Sequence, residues 1–433
     1  MYIKKYNNYI KYNKINDYIK KKNTKIYDLE NLDFIKNNND LKLCVMKRRN
    51  YYKNKYNLNF SKIPINNFNY KEILNKNCEN VIGYVNVPLG IVGPIKITNI
   101  LFKNKKNEKK TTNYHVPFAT SEGALVASIN RGSKIINNTS IDNINCITID
   151  KGITRAPIIK VNTLEDIILL KSYILNNYHK IKTIFDSTTK YGKFQKIEFH
   201  YNALYVHLRI SALTGNAMGM NIITKGTQEI LNHIIQKFPN FKVISLSGNL
   251  CTDKKPSAIN WINGRSKTVI CNTKLNIDLF QKYTKLNIDH LINLNLQKNL
   301  IGSALAGSIG GFNSHSANII AGIFLATGQD LAQIGTSSVG IIDYYIEKNL
   351  LNISLTMPSL EVATIGGGTS MTSQQSCINL LNLNQNNSNS SILLSQIIAS
   401  TVLCGELSLM ISLTEGSLVN SHLKLNRGIS FNL

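Results

Sequence analysis

The sequence has few carboxylates, few prolines and a single tryptophan. Its 433 residues contain 25 Asp and Glu against 50 Lys and Arg, a formal net charge of +25. Basic proteins often bind nucleic acids, but here the excess is concentrated in residues 1–60, and the aromatic and glycine signatures of an RNA-binding module are missing. We therefore expect no nucleic acid partner and retain a basic nucleic-acid binder only as an alternative. The charge instead favours small anionic ligands.

The sequence also lacks paired cysteine motifs. Its seven cysteines show neither CxxC nor Cys/His metal spacing. This indicates a reducing compartment, no structural zinc and no metal in the site.

A signal peptide and an uninterrupted apolar span are missing as well. The most apolar stretch, Ile392–Leu413, contains Gln396 and Glu406, which favours a buried helix over a membrane span. We expect a soluble, cytoplasmic chain, with peripheral association with the endoplasmic reticulum as the alternative.

Length and a hydrophobic content of 43% predict two or three domains. Residues 1–60 form a basic lead-in, disordered at first, with a helix near Leu29–Arg49. Residues 61–154 and 246–433 form a large helix-rich domain. Within it, Glu79–Pro94 predicts a short strand and a glycine-shaped loop, and an apolar helix Ile319–Thr327 ends at Gly328.

Residues 155–245 predict an inserted domain with the order βαββαβ, a ferredoxin-like split-βαβ unit. The fold class is therefore α+β. The predicted elements are a strand at Pro157–Val161, a helix at Leu164–Ile184, strands at Lys193–Phe199 and Ala203–Leu208, a helix at Met218–Phe238 and a strand at Phe241–Leu246.

A turn of three charges follows the last of these strands. Asp253, Lys254 and Lys255 lie between an apolar strand and the apolar stretch Ala258–Trp261. A solvated surface turn is the ordinary interpretation. Cations held in such a place become useful when they face an anion or a developing oxyanion.

Four further positions carry candidate chemistry. Glu122 opens a small-residue helix, Asp330 lies between apolar segments where a lysine is the obvious partner, and His315 shares a helix face with Asn318. Taken singly, Glu122 is explained by a favourable acid at a helix N-terminus, Asp330 and His315 by a core network, and His422 by an unremarkable lone histidine. Glu122, Lys254, Asp330 and His422, the last near the C-terminus, together supply what attack on a carbonyl requires.

Two segments of the inserted domain suit a phosphorylated ligand. Residues 186–192 form a hydroxyl-rich basic turn, and residues 215–221 open a helix with small residues. A glycine-tolerant helix start explains the second segment equally well. No GxGxxG follows a strand, so a Rossmann fold is not supported.

Several blocks in collinear order carry a family resemblance. ENVIGYVNVPLGIVGP, TSEGALVASINRG, TRAP, GNAMGMNIITKGT, SGNLCTDKKPSAINW, KNLIGSALAGSIGGFNSHSAN, TMPSLEVATIGGGT and GELSLM closely resemble the catalytic portion of the eukaryotic, class I type of 3-hydroxy-3-methylglutaryl-coenzyme A (HMG-CoA) reductase. The similarity runs from about residue 30 to His422. It implies four-electron reduction of HMG-CoA to mevalonate and coenzyme A through mevaldehyde with two NADPH, in isoprenoid and sterol precursor synthesis.

The resemblance also implies roles for individual residues. Glu122 matches the catalytic glutamate, Lys254 the oxyanion lysine, Asp330 the aspartate that couples them, and His422 the acid that protonates the departing thiolate. Ser128, Asn130 and Arg131 match the coenzyme A contact region. The HMG pocket maps onto Arg155, Ser247, Asp253, Lys255, Lys298, His315 and Asn318, and the cofactor region onto Thr189, Lys190, Tyr191, Asn216, Ala217, Met218, Gly219, Met220 and Asn221.

Four departures from the family pattern stand out. Lys190 and Tyr191 occupy a turn that usually shows an arginine and an aromatic residue, and lysine loses the bidentate fork. Asn216 replaces an aspartate, which leaves the strength of cofactor binding and the preference for NADPH open. Gly428 stands where animal and plant enzymes carry a phosphorylatable serine. The resemblance covers the catalytic portion, and we expect none of the membrane-spanning region that precedes it in many eukaryotic members.

The resemblance further implies a homodimer or homotetramer with shared active sites. A catalytically impaired homologue with a ligand-binding or regulatory role is the alternative to an active enzyme, and Asn216 is where the impairment would arise.

Overall fold

The computed structural model describes residue 11 and residues 13–15, 29–31, 35–73, 76–103, 106–383 and 388–416. The described residues within 1–88 and 370–373 form one compact unit, and the described residues within 89–369 and 374–433 form the other. His422 and Gly428 lie outside the described residues.

The first unit is built around helix α1, Asn38–Tyr56. Asn37 caps it: the Asn37 side chain accepts from the Asp40 backbone N–H, and the Asp40 carboxylate accepts from the Asn37 backbone N–H in return. The helix expected near Leu29–Arg49 therefore begins nine residues later, and a 3₁₀ turn occupies Leu29–Asn31. Val81–Pro88 has no regular structure, so the short strand expected within Glu79–Pro94 is wrong in position; the first strand begins at Leu89.

The second unit contains a sheet of eleven strands among its described residues. Their order along the main path is β7-β4-β6-β3-β8-β11-β10-β9, with β1 paired to β2 and β3, and β5 paired to β6. The strands are β1 Leu89–Lys103, β2 Lys106–Ala119, β3 Ile144–Arg155, β4 Ile158–Lys160, β5 Lys193–Asn202, β6 Tyr205–Leu213, β7 Lys242–Ser245, β8 Ser266–Asn276, β9 Gly311–Phe312, β10 Gly340–Glu347 and β11 Leu350–Leu360.

The remaining helices lie in this unit, apart from residues 370–373, which belong to the first unit. They are α2 Leu125–Thr139, α3 Leu164–Asn176, α4 Tyr178–Ser187, α5 Met220–Lys237, α6 Ala258–Asn263, α7 Ile277–Thr284, α8 Ile288–Leu294, α9 Ser303–Leu305, α10 Ser316–Thr327, α11 Ile334–Ser337, α12 Thr372–Leu380 and α13 Ser390–Thr414, with a π-helix at Asn295–Gly302 and 3₁₀ turns at Leu331–Gln333 and Gly367–Ser370.

Strand β3 carries the chain from one part of the sheet to the other. Its first part pairs with β8, and Ile153–Arg155 pairs with β6. Beyond it, β7, β4, β6 and β5 are antiparallel neighbours in that order. In chain order this is the 4-1-3-2 arrangement of a ferredoxin-like βαββαβ unit, so the α+β expectation is confirmed.

One expected helix is broken in two. The apolar pattern predicts a continuous helix over Leu164–Ile184, but α3 ends at Asn176 and α4 begins at Tyr178. At Asn177 the backbone leaves the helical region, with φ −107° and ψ 25°, and the Asn177 Nδ2 donates to the Tyr173 carbonyl. An asparagine side chain that bonds the local backbone in this way competes with the helix.

The two largest hydrophobic cores among the described residues lie in this unit. The larger is formed by β1–β3, β8, β10 and β11 with helices α2, α10 and α13, and the smaller by the βαββαβ strands with α3–α5. Helix α13 is long and apolar enough to cross a membrane by composition, but 83% of its most apolar window is buried inside the protein. It packs as the central helix of the larger core, as the polar residues within it predict.

Candidate active site

The Asp253-Lys254-Lys255 turn follows β7 and precedes α6. Thr252 and Lys254 have φ of 52° and 63°, a left-handed conformation that is uncommon for residues other than glycine. The Asn260 Nδ2 donates to the Thr252 carbonyl at 3.3 Å, and Ser257 caps α6 through the Asn260 N–H. The turn is therefore held in a conformation that an isolated chain would disfavour.

Lys254 and Asp330 meet in this turn region. The Lys254 Nζ lies 3.1 Å from Asp330 Oδ2, while Asp330 Oδ1 accepts from the Ala332 N–H at 3.1 Å. The lysine side chain is 46% exposed and the aspartate 31%. The oxyanion role favours a buried ammonium. One chain alone does not bury Lys254, because the turn lies at its surface.

A buried arginine stands behind the turn. Arg265, with no exposed surface, donates from Nη2 to Asp253 Oδ1 at 3.2 Å and from Nε to Thr154 Oγ1 at 2.9 Å. Its Nη1 forms an ion pair with the equally buried Glu361. Burial raises the pKa of Glu361 to about 7, with Arg265 opposing the shift and the nearby Asp253 and Asp330 charges adding to it.

Arg155 lies at the end of β3 beside the same turn. Its Nη1 donates to Ser247 Oγ at 3.1 Å, and its Nη2 donates to Thr224 Oγ1 at 2.9 Å. Ser247 is exposed and Arg155 is partly exposed. The guanidinium is therefore fixed by hydroxyl groups and not by a carboxylate, which suits recognition of an anion.

His315 is anchored by a buried carboxylate. Its Nδ1 lies 3.0 Å from Glu406 Oε1, and the same carboxylate accepts from the backbone N–H groups of Ser314 and His315 at 2.8 Å each. Burial alone would raise the pKa of Glu406, but the hydrogen bond and charge of His315 and these backbone donors lower it. Asn318 is exposed on the first turn of α10, and Lys298 is partly exposed in the π-helix.

The predicted coenzyme A residues lie on α2. Ser128 Oγ lies 3.0 Å from Ser408 Oγ, and Arg131 Nε donates to that same hydroxyl at 3.0 Å. Burial lowers the pKa of Arg131, and Glu415 opposes the shift. Asn130 has a structural task, because its Oδ1 accepts from the Gly93 N–H at 2.7 Å.

The predicted cofactor residues form two local clusters. Thr189 Oγ1 accepts from the Tyr191 and Gly192 N–H groups at 3.1 and 3.3 Å, and this turn leaves Lys190 and Tyr191 exposed. The second cluster precedes and opens α5, which begins at Met220 and not at Met218. It comprises Asn216, Ala217, Met218, Gly219, Met220 and Asn221.

Asn216 and Gly219 are fixed by their surroundings. Asn216 Oδ1 accepts from the Ser391 N–H at 3.0 Å. Gly219 has φ 91°, and a Cβ there would lie 2.1 Å from the Thr214 side chain, so glycine is required for this entry into the helix.

Glu122 stands apart from the groups just described. It lies exposed in the turn before α2, with its backbone N–H donating to Thr120 Oγ1 at 2.9 Å. Within the described chain, its carboxylate is not among the contacts of Lys254 or Asp330.

Sequence reasoning missed three residues that support the site, namely Arg265, Glu361 and Glu406. Glu361 and Glu406 are each a single charge within an apolar or small-residue segment, whereas Arg265 lies two residues before Lys267. In the sequence alone, Glu406 indicates only a buried helix in place of a membrane span. A lone charge in an apolar segment signals a buried ion pair, although it does not reveal the partner.

The comparisons with known proteins identify the family of the chain. A family model described as hydroxymethylglutaryl-coenzyme A reductase matches residues 44–427. The fold is of the α+β class, and the chain belongs to the hydroxymethylglutaryl-coenzyme A reductase family.

Similar curated proteins come from eukaryotes. The chain is 41% identical over 374 residues to 3-hydroxy-3-methylglutaryl-coenzyme A reductase 2 of Dictyostelium discoideum, covering 84% of this chain and 68% of that protein. It is 41% identical over 375 residues to reductase 1 of Gossypium hirsutum, covering 85% of this chain and 62% of that protein. The resemblance to the eukaryotic type is confirmed. The chain spans about three fifths of the length of the plant relatives.

A solved structure shares the fold at low identity. The class II reductase of Streptococcus pneumoniae, described as bound to NADPH, matches with a TM-score of 0.61 and 19% identity, covering 78% of this chain and 87% of that one.

Proposed function

We propose that the chain reduces HMG-CoA to mevalonate and coenzyme A through mevaldehyde, consuming two NADPH per turnover, as a step of the mevalonate pathway. The observation that carries this proposal is the contact between Lys254 and Asp330 in a member of this family. Lys254 makes this contact from a turn in which its backbone is left-handed. Its family and its relatives' names support the substrate.

The residues present fit a phosphorylated dinucleotide. Lys190 offers an exposed cation and Tyr191 an exposed ring, and the 18-residue helix α5 turns its N-terminus toward the small-residue segment before it. Helix N-termini favour phosphate groups. Residues 155–245 would accordingly be the NADPH-binding domain, with residues 61–154 and 246–433 binding HMG-CoA behind the lead-in of residues 1–60. When bound, NADPH supplies the hydride.

The side chains of this chain divide the remaining work. Lys254 stabilises the negative charge that develops on the thioester oxygen, and Asp330 holds the ammonium in place. Glu122 delivers the proton that the mevaldehyde oxygen takes up, and His422, outside the described residues, protonates the departing thiolate. Arg155 and Lys255 bind the free carboxylate of the HMG group, with Ser247, Asp253, Lys298, His315 and Asn318.

A second subunit would complete the site. Glu122 and Lys254 are both exposed in one chain, yet a preorganised cation stabilises an oxyanion strongly only where water is excluded. We therefore infer a homodimer or homotetramer in which active sites are shared between subunits. A soluble, cytoplasmic location and the absence of a metal remain predictions.

The test is NADPH oxidation by the purified chain. We expect HMG-CoA-dependent loss of NADPH absorbance, and a loss of at least 100-fold in kcat for Lys254→Ala with unchanged thermal unfolding. Equal rates for wild type and K254A, or no oxidation by either, would contradict the proposal. Parallel initial rates with NADH measure what Lys190 contributes.

Asn216 supports one alternative, a homologue impaired in cofactor use. Its side-chain oxygen already accepts from the Ser391 N–H, and a neutral amide binds a ribose hydroxyl less strongly than the carboxylate of an aspartate does. This alternative predicts HMG-CoA binding without NADPH oxidation, which calorimetry with each ligand separates from an active enzyme.

A further inference from the structure

The guanidinium of Arg265 is the most completely enclosed cation beside the proposed site. The side chain has no exposed surface and lies in the loop between α6 and β8. A buried cation is costly unless its hydrogen-bond donors are used and its charge is compensated. Here Nε donates to Thr154 Oγ1, Nη2 donates to Asp253 Oδ1, and Nη1 pairs with Glu361.

These partners connect fixed structure to the turn. Thr154 belongs to β3 and precedes Arg155, while Glu361 directly follows β11. Both are buried, at 2% and 1% exposure. Asp253 is the partner that belongs to the turn, and it directly precedes Lys254. The planar fork of arginine sets the direction of each bond, which a lysine ammonium does not do.

Asp253 is held from a second side as well. The Gln333 Nε2 donates to the same Oδ1 at 2.7 Å, and Gln333 lies in the 3₁₀ turn that begins after Asp330. One carboxylate oxygen thus receives a donor anchored to β3 and β11 and a donor from the segment that carries Asp330. Its position fixes where the turn lies relative to Asp330.

We propose that Arg265 is a positioning residue: held by Thr154 and Glu361, its guanidinium orients Asp253 and thereby sets the contact between Lys254 and Asp330. This inference rests on the proposed reduction of HMG-CoA. On this account the charge of Arg265 sets the geometry of the turn in addition to stabilising the fold.

The test is a double-mutant cycle on kcat/KM for HMG-CoA. We expect Arg265→Lys to lower this value at least tenfold in the wild-type background and less than threefold in a D253N background, because both changes disturb the same carboxylate. The control is Arg48→Lys, since Arg48 is equally buried and paired with Glu30, and its described contacts do not include the turn. R48K should change kcat/KM less than twofold in either background.

Loss of folding is controlled by a second variant. If R265K is insoluble, the double variant R265Q/E361Q replaces R265K in the cycle, because it removes both charges of the buried pair together. The inference is overturned if the losses of kcat/KM in R265K and D253N multiply in the double variant. It is also overturned if a folded variant at position 265 keeps kcat/KM within twofold of wild type. A wild type that oxidises no NADPH with HMG-CoA contradicts the proposed function itself, and the inference falls with it.

Discussion

Lys254 and Asp330 form an ion pair that positions the lysine ammonium and contributes little to the stability of the fold. At 46% and 31% exposure, the two side chains keep much of their hydration, and exposed pairs contribute about 0–1 kcal/mol to folding. Removing one charge should therefore leave the fold intact. If the proposed chemistry holds, its effect falls on the transition state.

Asp330→Asn tests this separation of roles. We expect kcat to fall at least 100-fold while the midpoint of thermal unfolding changes by less than about 2 °C. The control is Lys182→Gln, which breaks the exposed Lys182–Asp186 pair on α4 and should alter neither quantity appreciably. A D330N variant with wild-type kcat would exclude the coupling role.

Glu361 gives the fold a pH dependence. Its pKa is raised from 4.5 to about 7 in the folded chain. The folded state therefore holds this proton more tightly than the unfolded state does. The resulting stability is fully present below pH 4.5 and is lost as the pH rises through about 7.

Glu361→Gln removes this titration. Between pH 5 and pH 8 the free energy of unfolding of the wild type should include a decline on the order of 1–3 kcal/mol that E361Q lacks. Chemical denaturation at several pH values measures it. Parallel curves for the two proteins would show that Glu361 does not titrate in this range.

At the scale of elements, the approach of α2 to α13 sets the larger core. A Cβ on Gly132 of α2 would lie 1.8 Å from the Cys404 carbonyl oxygen, and backbone cannot move aside locally. A Cβ on Gly405 of α13 would lie 2.3 Å from Ile319 Cδ1, the end of a flexible side chain. An added Cβ would therefore clash with backbone at Gly132 and with a side chain at Gly405, within the same core.

Gly132→Ala and Gly405→Ala form a matched pair. We expect G132A to lower the free energy of unfolding by roughly 3 kcal/mol or more, and G405A by about 1 kcal/mol, since overpacking is relieved more easily by a side chain. Urea denaturation of both variants measures the difference. Equal losses would mean that the helices can separate at Gly132.

Elements with a clear period could be predicted from the sequence, and local exceptions could not. The βαββαβ order follows from alternating strand and helix patterns. The break at Asn177 was missed because the apolar period continues across it. Asp330 and Lys254 could be proposed as partners because a carboxylate among apolar residues needs a cation, whereas Arg265 and Glu361 are brought together only by the folding of β8 beside β11.

On the scale of the whole molecule, the candidate groups are divided between two cores. The smaller core carries the proposed cofactor residues, and the larger core carries α2 and α10 with the proposed coenzyme A and HMG residues. Hydrogen bonds join the end of β3 to its neighbours: Arg155 contacts Ser247 after β7 and Thr224 on α5. Met220, at the start of α5, contacts Thr224 through its carbonyl and Arg265 through its sulfur. The net charge of +25 would further favour an anionic substrate.

The stoichiometry of the complete reaction tests the central claim most directly. Wild-type protein with limiting HMG-CoA and excess NADPH should consume two NADPH for each coenzyme A thiol and each mevalonate formed, as the two hydride transfers require. Consumption of NADPH without free thiol, release of thiol without mevalonate, or no reaction at all would contradict the account.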